Sequence, residues 1–161
     1  MNAYKLEQLD RIDLRILVEL QRNARMSNIE LSKRVGLSAT PCLERVKRLE
    51  KRGYIQSYRA ILNPQKLGAG LLVYAEIRLH HTAGNVFNNF KEAVMELPHL
   101  LECHLVSGDF DYLIKARVKD MNSYRELLGE SLLQLPGVSA SRSYIVMEEV
   151  KDGSPLPIPL T

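Results

Sequence analysis

The first third of the chain carries hydrophobic residues at helical spacing, which predicts short amphipathic helices. A first helix is expected from about residue 10 to 22, with an apolar side made of Ile12, Ile16, Leu17 and Leu20. A second helix is expected to begin at Ser27, because Ser27 and Glu30 form a capping-box pattern. Gly36 predicts its end, since a left-handed residue after a helix is least costly without a Cβ.

A third helix is predicted to begin at its N-cap Ser38 and to end before Gly53, with a buried seam of Leu43, Val46 and Leu49. At about 100° per residue, the opposite side is polar and cationic, and consists of Pro41, Glu44 and Arg48 flanked by Arg45, Lys47, Lys51 and Arg52. Two helices joined by a tight turn, the second of them cationic on its free side, predict a helix-turn-helix that enters the DNA major groove.

The segment after this helix is rich in β-forming residues. Residues 54–62 predict one or two strands that form a small wing and a connector, and Asn63-Pro64 ends them. We therefore expect a winged helix-turn-helix domain over residues 1–62 and a hinge over residues 63–70.

Residues 71–150 are predicted to contain the same order of secondary-structure elements twice. A strand (71–79), a helix (85–97) and a strand (99–106) are followed by a second strand (111–118), helix (121–135) and strand (138–150). Leu97-Pro98 and Leu135-Pro136 mark equivalent helix ends. The result is a ferredoxin-like βαββαβ domain, so the fold class is α+β, and residues 151–161 remain as a flexible tail.

The predicted strands alternate in a way that separates two faces of the sheet. The face toward the helices is predicted to carry Val73, Ala75, Ile77, Leu79, Tyr112, Ile114, Ala116 and Val118. The other face mixes apolar and charged residues such as Leu72, Glu76 and Lys115, which is too apolar for a fully solvated surface. We therefore expect a second subunit to cover it.

The charge of the chain is divided unevenly between these two parts. Residues 1–62 hold 13 Lys and Arg against 7 Asp and Glu, whereas residues 63–161 hold 9 against 12. This polarity favours a polyanion as the partner of the first part. We also expect a cytoplasmic protein without a membrane partner, since no apolar run is long enough to span a bilayer and the N-terminus lacks a signal-peptide pattern.

The cationic helix suggests how DNA is contacted. Arg45 and Arg48 are predicted to read guanine O6 and N7, Glu44 to accept from cytosine, and Thr40 or Pro41 to touch a thymine methyl. For each basic residue alone, solvated surface is the alternative. The complete predicted DNA surface is Ser38, Thr40, Pro41, Glu44, Arg45, Lys47, Arg48, Lys51 and Arg52, in which the lysines and Arg52 serve phosphates.

The turn Ser107-Gly108-Asp109-Phe110-Asp111-Tyr112 is a candidate ligand site. Two carboxylates beside a glycine suit an ammonium, and free backbone N–H groups suit a carboxylate, so the pair suits an α-amino acid. Spacing alone favours an ordinary Gly/Asp turn. Enzyme, metal and cofactor motifs are missing from the sequence, and Cys42 and Cys103 are expected to be reduced, buried thiols.

Several runs of the sequence resemble the Lrp/AsnC ("feast/famine") transcription regulators. The resemblance extends from Leu9 to Val150 and is carried by Leu9-Asp10-Arg11-Ile12-Asp13, Glu30-Leu31-Ser32-Lys33-Arg34-Val35-Gly36-Leu37-Ser38, Thr40-Pro41-Cys42-Leu43-Glu44-Arg45-Val46, Glu102-Cys103-His104-Leu105-Val106-Ser107-Gly108-Asp109-Phe110-Asp111-Tyr112 and Tyr124-Arg125.

The resemblance implies a regulator of amino-acid metabolism that activates or represses transcription. It implies a homodimer that assembles to an octamer, double-stranded DNA wrapped around that assembly, and a small amino acid, leucine or alanine, bound between subunits. The effector residues that it implies are His104, Gly108, Asp109, Asp111, Tyr112, Met121 and Tyr144.

Two other functions are compatible with the residues themselves. One is a small-molecule-binding ferredoxin-like module whose N-terminal helices contact proteins, and the other is an amino-acid-metabolising enzyme of the same fold. DNA affinity that falls steeply with salt would distinguish the regulator from both, because only a phosphate-neutralising surface behaves in this way.

Overall fold

The computed structural model describes residues 9–80 and 85–159. The chain divides into two compact units, with a break between Ile61 and Leu62. The first unit contains the described residues up to Ile61 together with those from Lys151 onward, and the second unit is Leu62–Val150. Among the described residues, no helix is long and apolar enough to cross a membrane.

The first unit contains three helices whose ends follow local sequence signals. They are α1 (Arg11–Arg22), α2 (Asn28–Val35) and α3 (Ala39–Lys51). Asp10 caps α1 by accepting from the Asp13 backbone N–H, and Ser27 caps α2 by accepting from the Glu30 N–H. Gly36 ends α2 with a φ of 76°, as its left-handed role predicts. The core of this unit is formed by Ile16, Leu31, Val35, Cys42 and Leu49.

The predicted strands of the wing are not present in residues 54–62, all of which the structure describes. The chain instead turns after α3, where the Tyr54 and Ile55 N–H groups both donate to the Leu49 carbonyl. Strand formation depends on a partner strand, so β-forming residues alone do not secure it. The Tyr58 hydroxyl donates to Glu50 near the end of α3. Burial is the main cause that raises the pKa of Tyr58 to about 12, and the bond to Glu50 is the second cause.

The second unit is the predicted βαββαβ domain. Its elements are β1 (Leu71–Leu79), α4 (Val86–Met95), β2 (Leu100–Leu105), β3 (Tyr112–Val118), α5 (Met121–Glu126) and β4 (Val138–Ile145). A wider turn over 127–131 and a tighter one over 132–134 extend α5 toward β4. The strands form one antiparallel sheet in the order β2-β3-β1-β4, which confirms the α+β fold class. Strand β4 ends at Ile145, earlier than predicted.

One face of this sheet packs against the helices, as the alternation predicts. The buried residues of β1 and β3 are Val73, Ala75, Ile77, Leu79, Tyr112, Ile114, Ala116 and Val118. Phe90 of α4 packs on Tyr112 with ring centroids 4.5 Å apart. The register pairs Glu76 with Arg142 and Tyr74 with Tyr144 on the outer face, because directly paired residues point to the same side.

The C-terminal segment differs from the expectation of a free tail over residues 151–161. Leu156 exchanges two hydrogen bonds with Gln21 of α1, one through its N–H and one through its carbonyl. The described part of the segment therefore belongs to the first unit, in agreement with the division of the chain into two compact units.

Candidate nucleic-acid interface and effector hairpin

The buried face of α3 is rotated from the predicted seam, because one of its three residues differs. Cys42 and Leu49 are fully buried and Val46 is half-buried, whereas Leu43 is 41% exposed. The prediction of Leu43 as a seam residue was therefore wrong, although Val46 and Leu49 are correct. Both sets of three fit helical spacing, and the small buried thiol of Cys42 leaves room for the close approach of α1 and α2.

This rotation defines which side chains of α3 face away from the core. At about 100° per residue, Lys51 lies opposite Cys42, with Thr40, Glu44 and Lys47 within about 40° of that direction. All four residues are exposed. Within the described residues, neither Lys47 nor Lys51 forms an ion pair or a hydrogen bond through its ammonium group, so both ammonium groups are available to an anion.

Arg45 and Arg48 point instead toward α1, where they meet two carboxylates. Arg45 Nη1 lies 2.8 Å from Asp13 Oδ1 and also bonds to Asp10. Arg48 Nη2 bonds to both oxygens of Asp13, at 2.9 and 3.0 Å. We call this group of four side chains the Asp–Arg clasp. It differs from the expectation that both guanidinium groups lie on the groove side of the helix.

The clasp has a clear physical cause in the burial of Asp13. Its side chain is only 1% exposed, and a carboxylate removed from water must be paired and hydrogen-bonded. Three charge-assisted bonds from two guanidinium groups meet that need. The Asp13 backbone N–H and Arg45 lower the pKa of Asp10, the N–H contributing most. The clasp therefore fixes α3 against α1.

Two further residues of the predicted DNA surface, Ser38 and Arg52, lie at the two ends of α3. Arg52 lies over the Tyr54 ring, 5.4 Å from its centroid, which places a cation beside an aromatic face at the end of α3. Ser38 is the N-cap residue of α3 but makes no side-chain capping bond, so its hydroxyl is exposed at the start of the helix beside Pro41.

The hairpin between β2 and β3 is held by Asp111. Its carboxylate accepts from the Leu79 backbone N–H at 2.8 Å, and its own N–H donates to the Ile77 carbonyl at 2.9 Å. The Asp111 carbonyl also accepts from the Val106 N–H. Gly108 has a φ of 143°, a conformation that residues with a Cβ rarely adopt. Asp111 thus ties the turn to the end of β1.

Asp109 at the tip of this turn lines a cavity of about 510 Å³ on the outer side of the sheet. The cavity wall carries both signs of charge, because Glu76 and Asp109 line it together with Arg78 and Arg142. The Tyr144 hydroxyl donates to Glu76 at 2.7 Å. The proximity of Tyr144, followed by that of Glu76, raises the pKa of the Arg142 guanidinium. Such a wall can pair with the carboxylate and the ammonium of one α-amino acid.

The structure separates the predicted effector residues into four groups. Asp109 lines the cavity, and Tyr144 bonds to its wall. Asp111 and Gly108 shape the hairpin. Tyr112 is buried on the helix side of the sheet, since it begins the inward set of β3, and burial raises its pKa. His104, which bonds to Glu102, and Met121 at the start of α5 are exposed and are not among the lining residues.

Two features of the site were missed by sequence reasoning. Asp10 and Asp13 are three residues apart, as are Arg45 and Arg48, and this matched spacing is a signal that could have predicted the clasp. Leu43 is the other omission, because an exposed leucine on the outward half of α3 can touch a thymine methyl.

The described cysteines and possible metal ligands do not indicate a catalytic or metal site. Cys42 is buried and Cys103 is half-buried, and burial raises the pKa of both thiols. A buried thiol with a raised pKa is not an activated nucleophile. In the part of the chain that the structure describes, His, Cys, Asp and Glu side chains nowhere form a group of three suited to a metal ion.

Comparison with known proteins matches both units to family models. Residues 9–56 match the model described as winged helix-turn-helix DNA-binding, and residues 72–156 match the Lrp/AsnC ligand binding domain. The leucine-responsive regulatory proteins of Klebsiella pneumoniae and Escherichia coli K12 are each 62% identical over 152 residues, which is 94% of this chain and 93% of the relative.

Solved structures of similar proteins agree with this result. A transcriptional regulator from Neisseria meningitidis, solved as a complex with L-Met, has a TM-score of 0.90 at 37% identity, covering 93% of this chain and 97% of its own. An AsnC family regulator from Agrobacterium tumefaciens has a TM-score of 0.87 at 32% identity, covering 92% and 97%. Escherichia coli AsnC, at 21% identity, shares the fold with a TM-score of 0.84 and covers 93% and 99%.

Proposed function

The chain belongs to the Lrp/AsnC family of transcription regulators, and from that premise we propose that it binds DNA through α3 and responds to an amino acid at the β2–β3 hairpin. It is a regulator of amino-acid metabolism and not an enzyme. The observation that carries the DNA part is the outward face of α3, where Lys47 and Lys51 are exposed and unpaired within the described residues.

We propose separate tasks for the residues of this DNA surface. Thr40, Leu43 and Glu44 face base edges, since they occupy the outward half of α3 near its N-terminal end. Lys47 and Lys51 bind phosphates or guanine, and Ser38, Pro41 and Arg52 flank this surface. Arg45 and Arg48 hold the helix in position through Asp13, which replaces the base-reading role expected from sequence.

A salt titration tests the DNA surface directly. Lys47→Ala should weaken binding to an operator duplex and reduce the slope of log affinity against log salt by roughly 0.9 for one lost phosphate contact. Lys91→Ala is the matched control, because Lys91 is an exposed lysine on α4 of the second unit. Equal slopes for the wild type and Lys47→Ala in fluorescence anisotropy would contradict the assignment.

For the effector, we propose an α-amino acid in the charged cavity beside the hairpin. Arg78 and Arg142 would bind its carboxylate, while Asp109 and Glu76 would bind its ammonium. Leucine is the first candidate, because 62%-identical relatives bear the name leucine-responsive regulatory protein, and alanine is a second candidate that only the family resemblance implies. Methionine is a third, since the Neisseria relative is a complex with L-Met.

Assembly is the third part of the proposal. The outer sheet face combines half-buried Tyr74 and Leu113 and exposed Tyr144 with charged residues, which suits burial against another copy. We propose a homodimer that assembles to an octamer in the cytoplasm, with the effector bound between subunits. An amino acid that favours one assembly would then change how many DNA-binding units engage together, and so activate or repress transcription.

Calorimetry tests the effector proposal with the full chain. Each of the twenty amino acids is titrated in turn, with and without an operator duplex, and sedimentation is recorded in parallel. Heat with leucine, alanine or methionine that disappears in Arg142→Ala is the expected result. Heat that is unchanged in Arg142→Ala would move the site elsewhere, and a monomer at micromolar concentration would reject the proposed assembly.

A further inference from the structure

The C-terminal segment has a sequence suited to one extended conformation. Pro155, Pro157 and Pro159 alternate with Leu156 and Ile158. Each proline fixes its own φ and restricts the residue before it to extended or polyproline-II backbone. The segment from 154 to 159 is therefore stiff before it binds anything, so docking it costs little conformational entropy.

Gln21 of α1 binds the backbone of this segment with both ends of its amide. Its Nε2 donates to the Leu156 carbonyl at 3.1 Å, and its Oε1 accepts from the Leu156 N–H at 2.8 Å. Leu156 lies between two prolines, so its N–H is the sole amide donor of the Pro155–Pro157 stretch. The Leu156 side chain is 77% exposed, which shows that the backbone and not the side chain is recognised.

The surroundings of this contact form an apolar cleft within the first unit. It encloses a volume of about 590 Å³, to whose lining α1 contributes Leu17 and Leu20 and the segment after α3 contributes Tyr54 and Tyr58. Residues 156–159 of the C-terminal segment complete the lining, so the segment already lies against these residues. Aromatic and apolar walls with one polar clamp are the features by which grooves recognise polyproline-II peptides.

We propose that the first unit carries a docking groove for a polyproline-II segment, with Gln21 as its backbone clamp and this chain's own residues 155–159 as its occupant. The chain leaves the first unit after Ile61 and returns to it after Val150. The docked segment is held on the first unit by non-covalent contacts, in addition to the covalent connection of that unit after Ile61. The inference concerns the groove alone and does not depend on DNA or effector binding.

Amide hydrogen exchange in the full chain tests the clamp. The Leu156 amide should be protected in the wild type, and about tenfold less protected in Gln21→Ala. Leu156→Ala is the informative companion, since it keeps both backbone groups and should retain protection at position 156. Gln134→Ala is the matched control, because Gln134 is an exposed glutamine that donates to the Gly129 backbone in the second unit. Unchanged exchange at Leu156 in Gln21→Ala would overturn the proposal.

A mixing experiment tests whether the occupant comes from the same chain. Isotope-labelled wild type is mixed, unfolded and refolded with a tenfold excess of unlabelled Gln21→Ala. If each segment docks on its own unit, the labelled Leu156 amide keeps its full protection. Loss of that protection would mean that a second copy supplies the groove, which would overturn the choice of occupant.

Discussion

Each unit contains a pair of aspartates close in sequence, and the two pairs are used differently. In the first unit, Asp13 is buried and bonds to two guanidinium groups, while Asp10 is 51% exposed at the start of α1. In the second unit, Asp111 bonds to the Leu79 backbone N–H, while Asp109 is exposed and lines the cavity. One member of each pair holds the structure, and the other faces solvent.

We call Asp13 and Asp111 the inner aspartates, and they differ in the groups that they bind. Asp13 holds two side-chain cations that would otherwise be available to DNA, so it controls both stability and surface charge. Asp111 accepts from a neutral backbone group and thereby shapes the hairpin. The effect of removing each aspartate should therefore differ in size and in kind.

The largest effect is expected from Asp13→Asn. The substitution removes the charge that two arginines share and places an amide donor beside them. We expect the free energy of unfolding to fall by about 3 kcal/mol, at the lower end for a broken buried ion pair because both arginines can reach water. Urea unfolding measures it.

A double-mutant cycle with Arg48→Met separates the ion pair from other consequences of the substitution. A coupling energy above about 1 kcal/mol between positions 13 and 48 is expected. If the two losses simply add, Asp13 and Arg48 act independently and the clasp does not hold α3.

Asp111→Asn is expected to have a smaller effect, because asparagine keeps one oxygen to accept from the Leu79 N–H. A loss of about 1 kcal/mol is expected from exchanging a charged acceptor for a neutral one. Hydrogen exchange should show the change at the Leu79 amide and leave α1 to α3 unaffected. A loss as large as that of Asp13→Asn would erase the distinction between the two inner aspartates.

How far the sequence predicts these two regions depends on the periodicity of each element. In β1 and β3 the side chains alternate with a period of two, so the inward set from Val73 to Val118 followed directly from the sequence. The same alternation placed Tyr112 inside, and only the family resemblance made it an effector candidate. Asp111 could not be assigned in this way, because its partner Leu79 lies 32 residues away.

Helix α3 was harder to predict because neighbouring seams fit equally well. Leu43, Val46 and Leu49 match helical spacing as closely as Cys42, Val46 and Leu49 do. The choice depends on tertiary contacts that include Asp13 of α1, which draw two arginines off the outward face. Charge alone therefore predicted a cationic helix correctly and misassigned which cations are exposed.

The contribution of Asp10, the solvent-exposed member of the first pair, to stability should depend on pH. Its folded-state pKa is lowered by the Asp13 N–H and by Arg45, so its ionised form stabilises the fold above its unfolded pKa of about 3.9. That contribution is lost as the pH falls through the lowered value. Asp10→Asn retains a good N-cap, so we expect a loss of only about 0.5 kcal/mol at pH 7.

The pH dependence of the difference identifies its source. Wild type and Asp10→Asn are compared by thermal unfolding from pH 7 to pH 2, and the difference between their stabilities should shrink as the pH falls below the unfolded pKa of about 3.9. A difference that stays constant over this range would assign the effect to capping geometry and not to charge.

Asp109, the outer member of the second pair, should have the smallest effect on stability. It is exposed at the tip of the hairpin, so Asp109→Asn should change the free energy of unfolding by less than about 0.5 kcal/mol. Its effect should instead appear in binding, because a neutral amide no longer attracts an ammonium in the cavity that this side chain lines together with Arg142. Calorimetry with the effector amino acid should show at least tenfold weaker binding, or about 1.4 kcal/mol. A variant that binds as tightly as the wild type would leave Asp109 without a role and would return the hairpin to an ordinary Gly/Asp turn.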